Sequence, residues 1–402
     1  MISEEAFLAE ARAFLDAHAE PRGEERTAWG EGSDRVGIFP EKTPEQERAE
    51  VAEAKAWRTQ VFDAGFGWIT GPAQYGGREL PAAYERAWQS LLATYDTPSN
   101  APFGIGLGMI APTILAHATD TAKERYLRAL YRGEIIACQL FSEPEAGSDL
   151  AGLQTRAVRD GDEWVVTGQK VWTSGAQYSD IGEIICRTDP DLPKHKGLTG
   201  FIVDMKAPGV EVRPLRQLTG GASFNEVFFA EVRVADDHRL GDVNQGWTVA
   251  LTTLMNERAA IGGGGAGGGS SMGITRLMDL LRHVGKADDP LLRQQLADVY
   301  VHTTVARWTS RRALATLQAG GLPGPELSTA KLALTHNMQR VSRLVERALG
   351  ARITADTGEW GTYAWGEFIL GVPGMRVAGG TDEVMRNIIG ERVLGLPKEP
   401  RG

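Results

Sequence analysis

Cysteine is scarce in this sequence. The 402 residues contain two, Cys138 and Cys186, which lie far apart and have no metal-ligand spacing. This excludes a disulfide-rich scaffold, and we interpret both residues as free thiols in a reducing compartment. The seven histidines are scattered as well, with no pair at zinc-site spacing, so the sequence predicts no bound metal.

Long apolar runs and basic runs are missing too. No stretch reaches the roughly 20 apolar residues that a membrane-spanning helix requires. The residues after Met1, Ile2-Ser3-Glu4-Glu5, are acidic and lack the hydrophobic segment of a secretion signal. The net charge of −9 argues against a nucleic acid partner. We therefore expect a globular, cytoplasmic protein without a membrane span.

The hydrophobic pattern divides the chain into three parts. Residues 1–134 show the helical period, residues 135–241 form short β-rich runs separated by turns, and residues 242–402 return to the helical period. The middle part is typical of a small antiparallel barrel or sandwich. The last part is typical of a helical bundle. We predict three domains with these boundaries.

Two local signals support this division. Thr43 and Pro44 supply an N-cap and a first-turn proline for a helix that runs through Ala64. The tripeptide Asp160-Gly161-Asp162 separates two β-rich runs and predicts a β-hairpin. The first signal lies in the helical part and the second in the β-rich part.

One predicted helix carries a carboxylate within its apolar face. In the segment from Trp247 to Ile261, the residues Trp247, Ala250, Leu254 and Ile261 share one face, and Glu257 falls inside that stripe. Burial of a carboxylate is costly unless it is paired or protonated, and burial raises its pKa towards the value that a general base needs. From this helix alone, a solvated helix-end charge or a structural ion pair is the favoured interpretation of Glu257.

Glycine is concentrated just after this helix. Gly262 to Gly265 and Gly267 to Gly269 fill seven of eight positions. Such a run is compatible with a flexible linker. It is also compatible with a helix stripped of side chains where another backbone or a bulky ligand approaches closely.

Two further stretches carry polar and aromatic groups suited to a planar ligand. The loop from Gln139 to Asp149 offers the hydroxyls of Ser142 and Ser148 and the backbone N–H groups of residues 146–148. The stretch Trp172-Thr173-Ser174-Gly175 places a tryptophan beside small hydroxyl residues, which suits stacking on a cofactor. Taken alone, the serines can be turn formers and the tryptophan a hairpin aromatic.

At these residues the chain resembles the acyl-CoA dehydrogenase family over nearly its whole length. Three motifs match at the family's spacings: Ser142-Glu-Pro-x-Ala-Gly-Ser148-Asp, Gly168-Gln-Lys-x-Trp172, and Gly380-Thr381-x-Glu383-x-x-Arg386-Asn-Ile-Ile-Gly-Glu-Arg392. The resemblance implies an α+β multidomain fold with a helical N-terminal domain, a central antiparallel β-barrel and a C-terminal four-helix bundle. It also implies FAD as the cofactor and assembly as a homotetramer or homodimer.

The resemblance assigns roles to individual positions. It implies that FAD is contacted by residues of all three motifs, and that the acyl-CoA is contacted by three residues. The implied FAD-binding residues are Gln139, Phe141, Ser142, Gly147, Ser148, Trp172, Ser174, Thr381 and Glu383. The implied substrate-binding residues are Ser148, Arg258 and Gly380.

Members of the family carry the catalytic base at one of two positions. Many have a glutamate directly before the Gly-Thr of the C-terminal motif, where this chain has Gly379. Isovaleryl-like and long-chain members carry it on the helix before an arginine, where this chain has Glu257 followed by Arg258. The resemblance therefore implies that Glu257 is the base and that the backbone N–H of Gly379 polarises the thioester carbonyl.

The expected activity is the FAD-dependent α,β-dehydrogenation of an acyl-CoA to a trans-2-enoyl-CoA, with electrons passing to an electron-transfer flavoprotein. Two alternatives stay open: a catalytically silent subunit of a hetero-oligomer, and a flavin enzyme of the same fold that acts on a non-CoA substrate. The glycine run and the missing side chain at Gly379 favour a branched, bulky or polycyclic acyl group.

Overall fold

A computed structural model describes residues 2–23, 36–39, 41–262, 273–318, 325, 327–355 and 363–398. These residues divide into two compact units. The first unit holds the described residues of 2–23, 42–215 and 222–253, and the second holds those of 36–41, 216–221 and 254–398. The glycine run after Gly262 lies outside the described residues. The division into three domains at residues 134 and 241 stays a prediction.

Helices make up the beginning of the first unit. Thr43 caps the second helix with a capping box, because its hydroxyl accepts from the N–H of Gln46 while the Gln46 side chain accepts from the N–H of Thr43. The predicted helix from Thr43-Pro44 is thereby confirmed, and a π-helical turn at Gly106–Ile110 precedes the fourth helix. The helices are α1 (Glu4–His18), α2 (Pro44–Asp63), α3 (Ala82–Leu92), α4 (Ala111–His117) and α5 (Asp120–Arg132).

A sheet of eight strands follows in the first unit, beside a two-residue pair, β1 (Glu20–Pro21) and β2 (Tyr95–Asp96). Seven of its strands follow the order β10-β7-β6-β4-β5-β9-β8 among the described residues. The eighth strand, β3, also pairs with β6. The strands are β3 (Ala137–Leu140), β4 (Arg156–Asp160), β5 (Glu163–Ser174), β6 (Ile181–Arg187), β7 (Leu198–Asp204), β8 (Val210–Leu215), β9 (Phe224–Ala235) and β10 (Arg239–Leu240).

The sheet matches the predicted antiparallel arrangement in most but not all of its pairs. β4 and β5 form the predicted hairpin around Gly161, whose φ of +64° suits glycine. However, β3 runs parallel to β6, and β4 also meets β6 in parallel at one position. Among the described residues, the first and last strands of the order, β10 and β8, do not pair with each other. The predicted barrel is therefore an open sheet over these residues.

The helix α6 (Gly246–Gly262) agrees with the predicted segment within one residue at each end. It begins in the first unit and continues into the second after residue 253. The remaining helices lie in the second unit. They are α7 (Ile274–His283), α8 (Pro290–Gln318), α9 (Leu327–Leu349), α10 (Tyr363–Met375) and α11 (Asp382–Ile388), the last of which runs into a π-helical turn at Ile389–Val393.

Four of these helices share one apolar core. Leu280 of α7, Val299 of α8, Leu344 of α9 and Phe368 of α10 are all buried in the same cluster. This confirms the predicted helical bundle. In the described part of the chain, no helix is both long and apolar enough to cross a membrane.

Candidate active site

The Gln139–Asp149 loop is attached to the sheet through the ammonium group of Lys170. This side chain is fully buried, and its Nζ donates to Glu143 Oε1 at 2.8 Å, to the Phe141 carbonyl at 3.0 Å and to the Ile185 carbonyl at 2.9 Å. An ammonium has three hydrogens, so its donors are all used. Lys170 on β5 thereby joins the loop to β6.

Glu143 completes this connection from the side of the loop. Its carboxylate also accepts from the backbone N–H groups of Gln154 at 2.6 Å and Thr155 at 2.9 Å. Burial by itself would raise the pKa of Glu143, but the Lys170 charge and the hydrogen bonds from Gln154 and Thr155 lower it below its ordinary value. The pair is therefore ionised at neutral pH, which satisfies two buried charges at once.

Trp172 lies two residues beyond Lys170 and projects into solvent. The N–H of Val171 donates to the Ser142 carbonyl at 2.9 Å, which places Trp172 next to the loop. Its φ is +61°, a left-handed conformation that is unusual for a bulky residue, and 62% of its surface is exposed. Strain of this kind persists where the surrounding structure enforces it, and it concentrates at ligand sites.

The backbone beyond Ser142 differs in one respect from the sequence-based expectation. The N–H of Ala146 is not available to a ligand, because Ala146 and Glu143 exchange two backbone hydrogen bonds of 3.1 Å. Gly147 and Ser148 are exposed, and a Cβ added at Gly147 would meet nothing within 4 Å. The open part of the loop is therefore Gly147 and Ser148.

The predicted base occupies an intermediate environment. Glu257 and Arg258 of α6 are both half-buried. Burial lowers the pKa of Arg258, and the negative charge of Glu257 opposes that effect. The Arg258 Nε is buried without a hydrogen-bond partner among the described residues. The sequence predicted that the Glu257 carboxylate lies on a buried face, whereas in the structure the residue is half-buried.

The C-terminal motif forms a turn with two consecutive left-handed glycines. Gly379 has φ +68° and Gly380 has φ +90°, and a Cβ at Gly380 would lie 2.7 Å from the Met385 side chain. Thr381 caps α11, since its hydroxyl accepts from the Val384 N–H at 3.1 Å. Glu383 is exposed and pairs with Arg386 at 3.1 Å.

Asp382, inside this motif, is fully buried and organises the turn. It accepts from Arg376 Nε at 2.7 Å, from the Thr335 hydroxyl at 2.8 Å and from Lys331 Nζ at 3.3 Å. Burial would raise its pKa, but Arg376, Thr335 and Lys331 lower it below its ordinary value. Asp382 thus connects both ends of the glycine turn to α9.

The structure brings the predicted residues together in two groups. In the first unit, Gln139 lies on β3, Phe141 and Ser142 lie on the loop after it, and Trp172 and Ser174 lie on β5. Lys170 and the Val171 N–H attach that loop to β5. In the second unit, Gly379, Gly380, Thr381 and Glu383 surround Asp382. Sequence reasoning missed four charged residues that position these groups, although all but Lys331 of α9 lie inside a motif. They are Glu143, Lys170, Lys331 and Asp382.

Three family models match the chain in succession. They are the N-terminal domain of acyl-CoA dehydrogenase over residues 3–134, its middle domain over residues 138–232 and its C-terminal domain over residues 244–394. Together they cover both groups of site residues.

Individual proteins show the same similarity. Acyl-CoA dehydrogenase FadE34 of Mycobacterium tuberculosis is 39% identical over 87% of this chain, which spans about half (48%) of that relative. Acyl-CoA dehydrogenase IpdE1 of the same organism is 34% identical over 89% of this chain and 92% of its own length. Among solved structures, the "Tcur3481-Tcur3483 steroid ACAD" matches with a TM-score of 0.75 at 27% identity, covering 98% of each chain.

We expect Lys170→Met to destabilise the protein strongly. The substitution leaves the Glu143 carboxylate buried without its cation, and breaking a buried pair in this way costs roughly 3–5 kcal/mol of the free energy of unfolding. Lys194→Met is the matched control, because Lys194 pairs with Asp149 of the same loop at 2.8 Å but is exposed. Its loss should cost less than about 1 kcal/mol. Urea unfolding measures both, and equal losses would contradict the role of Lys170.

We expect Asp382→Asn to remove the anchor of the glycine turn. Lys331 and Arg376 then lose their buried counter-charge, which should lower the free energy of unfolding by roughly 3 kcal/mol. Glu383→Gln is the control, since it removes the same charge one position later from an exposed side chain and should cost less than about 1 kcal/mol.

The pH dependence gives a second test of Asp382. Its pKa is lower in the folded protein than the ordinary 3.8, so its contribution is present above that value and is lost as the pH falls through the folded-state pKa. Acid unfolding of the Asp382→Asn variant should lack this loss. An acid transition identical to that of the unmodified chain would exclude the anchor.

Proposed function

The chain belongs to the acyl-CoA dehydrogenase family, and we propose that it catalyses the FAD-dependent α,β-dehydrogenation of an acyl-CoA thioester. The observation that carries the proposal is the arrangement around Trp172. A strained, exposed indole stands beside a loop that a buried ion pair holds in place. An enzyme that binds a planar cofactor needs an apolar surface and a rigid polar edge next to each other, and this arrangement supplies both.

The residues of the first unit fit an isoalloxazine ring. The exposed face of Trp172 can cover one side of such a ring, and the buried Thr173 hydroxyl beside it has no hydrogen-bond partner among the described residues. Gln139 and Ser142 are half-buried and can bond the polar edge of the ring, while Gly147 leaves room for an anionic group. When bound, FAD supplies the hydride acceptor for the substrate β-carbon.

The residues of the second unit supply the proton chemistry in this proposal. The Glu257 carboxylate takes the α-proton of the thioester. The N–H of Gly379 donates to the thioester carbonyl, where negative charge develops, and a well-placed donor of this kind contributes about 3 kcal/mol. Loss of the α-proton and of a hydride from the β-carbon leaves a carbon–carbon double bond, which gives trans-2-enoyl-CoA.

We further propose that the acyl group is bulky and polycyclic. Gly379 presents no side chain at the predicted thioester position, which favours a large acyl group. The solved relative named as a steroid ACAD supports this choice of substrate class, at 27% identity over 98% of the chain.

Assembly with other chains is part of the proposal. On α8 the side chains of Val301, Val305 and Trp308 are exposed and share one face by their spacing of four and three residues. An exposed apolar stripe of this kind is typical of a surface covered in an oligomer. A homotetramer or homodimer fits it, and so does pairing with a homologous chain, which the paired name Tcur3481-Tcur3483 of the steroid relative favours. An electron-transfer flavoprotein would reoxidise the cofactor.

The purified protein should contain about one FAD per chain and should lose its flavin absorbance when an acyl-CoA is added without oxygen. We expect steroid side-chain thioesters to reduce the flavin faster than butyryl-CoA, because a butyryl chain has far less apolar surface to bury than a polycyclic group. Absorbance at the flavin maximum measures this. A colourless protein that takes up no FAD would favour the silent-subunit alternative instead.

Glu257→Gln should retain FAD and lose catalysis. The amide keeps the size of the side chain but cannot accept the proton, so flavin reduction should slow about 10²–10⁴-fold. Glu346→Gln, the same change on an exposed position of α9, should leave the rate unchanged. Flavin reduction at a near-normal rate in the Glu257→Gln variant would show that another residue is the base.

A second carboxylate position offers a rescue test. Glu257→Gln combined with Gly379→Glu places the base where other family members carry it. We expect partial recovery, because residue 379 has φ +68° and a non-glycine residue there costs roughly 1–2 kcal/mol.

A further inference from the structure

A second glutamate lies on the sheet beneath α6, and the proposed mechanism does not use it. Glu183 of β6 is fully buried in the first unit. Its Oε1 lies 2.6 Å from the Thr253 hydroxyl of α6, and its Oε2 has no hydrogen-bond partner among the described residues. A buried carboxylate with a single hydrogen bond is a costly arrangement unless the group is neutral.

The hydrogen-bond chain that starts at Glu183 continues for two more steps. The Thr253 hydroxyl lies 2.9 Å from the Thr113 hydroxyl of α4, which in turn donates to the carbonyl of Met109 at 2.9 Å. Both threonines are fully buried. The chain therefore links the sheet, α6 and the π-helical turn that precedes α4.

Counting hydrogens shows which form of Glu183 suits this chain. The Thr253 hydroxyl also lies 3.3 Å from the Val249 carbonyl, which makes four oxygen–oxygen links for two threonine hydroxyls, so an ionised Glu183 leaves two links without a hydrogen. A neutral carboxylic acid supplies the third hydrogen. Each group then donates to the next, from Glu183 through Thr253 and Thr113 to the Met109 carbonyl.

The same half of α6 has a second contact with the sheet. A Cβ added at Gly246, the first residue of α6, would lie 2.6 Å from the backbone nitrogen of Thr199 on β7, so the helix starts directly on the strand. Thr253 lies two turns later. Glu257 follows Thr253 by four residues, one turn further along the same helix.

We propose that Glu183 is a positioning residue that, as a neutral acid, holds Thr253 and with it the helix that carries the catalytic base. The proposal rests on the function proposed above for Glu257. Glu183 does not touch the reacting atoms. It acts by fixing the height and rotation of α6 on the sheet, so that ionisation of Glu183 disrupts the chain and displaces the base.

The surroundings of Glu183 favour the neutral form. Burial raises the pKa of Glu183 from 4.5 to about 8, and the Thr253 hydrogen bond opposes this without cancelling it. Within the described residues, no charged group is among the causes of this shift. Other titratable groups occur on the strands and helices around it: His117 on α4, Cys138 on β3, Cys186 and Arg187 on β6, Asp204 at the end of β7, and Glu257 on α6.

The protonation state can be tested on the FAD-loaded protein without any substrate. The folded state binds the proton more tightly than the unfolded chain, so the stability due to Glu183 is present below pH 4.5 and is lost as the pH rises towards 8. Glu183→Gln is neutral at every pH and can still bond Thr253. Relative to that variant, the folding equilibrium constant of the unmodified protein should fall about tenfold per pH unit over this window.

The measurement is urea unfolding between pH 5 and 9. Glu231→Gln is the matched control, because Glu231 on β9 is exposed, and it should keep the pH dependence of the unmodified protein. Parallel pH profiles for the Glu183→Gln variant and the unmodified protein would overturn the proposal, because Glu183 would then not be held neutral.

The positioning role is tested by flavin reduction with the best thioester. Thr253→Val breaks the chain and should slow reduction about 10–100-fold, whereas Thr253→Ser keeps a hydroxyl and should restore the rate. Glu183→Gln should match the unmodified protein at pH 7 and lack its loss of rate above pH 8.

The outcomes separate this proposal from the function itself. Unchanged rates in the Thr253→Val variant, together with the same alkaline loss in the Glu183→Gln variant, would overturn the positioning role and leave the dehydrogenase intact. If no thioester reduces the flavin of the unmodified protein, the proposed function fails, and the unfolding profiles still decide whether Glu183 is neutral.

Discussion

The first unit depends on placing one fully buried ammonium group among three acceptors. Lys170 finds them in the Glu143 carboxylate and the Phe141 carbonyl, which both belong to the loop after β3, and in the Ile185 carbonyl of β6. This arrangement satisfies all three hydrogens, and a buried ammonium that lacks an acceptor is costly. The position of the loop, and with it the exposed Trp172, follows from this requirement.

The same physical rule operates at the other buried ionisable groups. Asp382 accepts hydrogen bonds from three donors and fixes the turn of Gly379 and Gly380. Glu183 avoids an unpaired buried charge in another way, by being neutral. Exposed pairs such as Lys194 with Asp149 are close in distance but contribute little, because water solvates both partners. Buried groups therefore position the motif residues, while surface pairs add little to the same loops.

Much of this fold could be predicted from local patterns, because capping and periodicity are properties of neighbouring residues. The Thr43 cap and the limits of α6 are examples. The parallel pairing of β3 with β6 could not, since a strand's own pattern does not name its partner. The glycines and Pro373 inside α10 disfavour a helix locally, so the sequence did not single it out, and tertiary packing outweighs that preference.

Glu183 is the one charged residue in the otherwise apolar run Ile181–Cys186, and that contrast could have identified it from the sequence. The roles of Ser142, Trp172 and Glu257 rest on motif similarity and stay predictions.

The central claim is that one α-proton and one β-hydride leave the same thioester. An acyl-CoA fully deuterated at both carbons, turned over by the FAD-loaded protein with an artificial electron acceptor and analysed by mass spectrometry, tests it most directly. The account predicts a product that has lost one deuterium from the α-carbon and one from the β-carbon. Loss from the α-carbon alone, with no double bond formed, would contradict it.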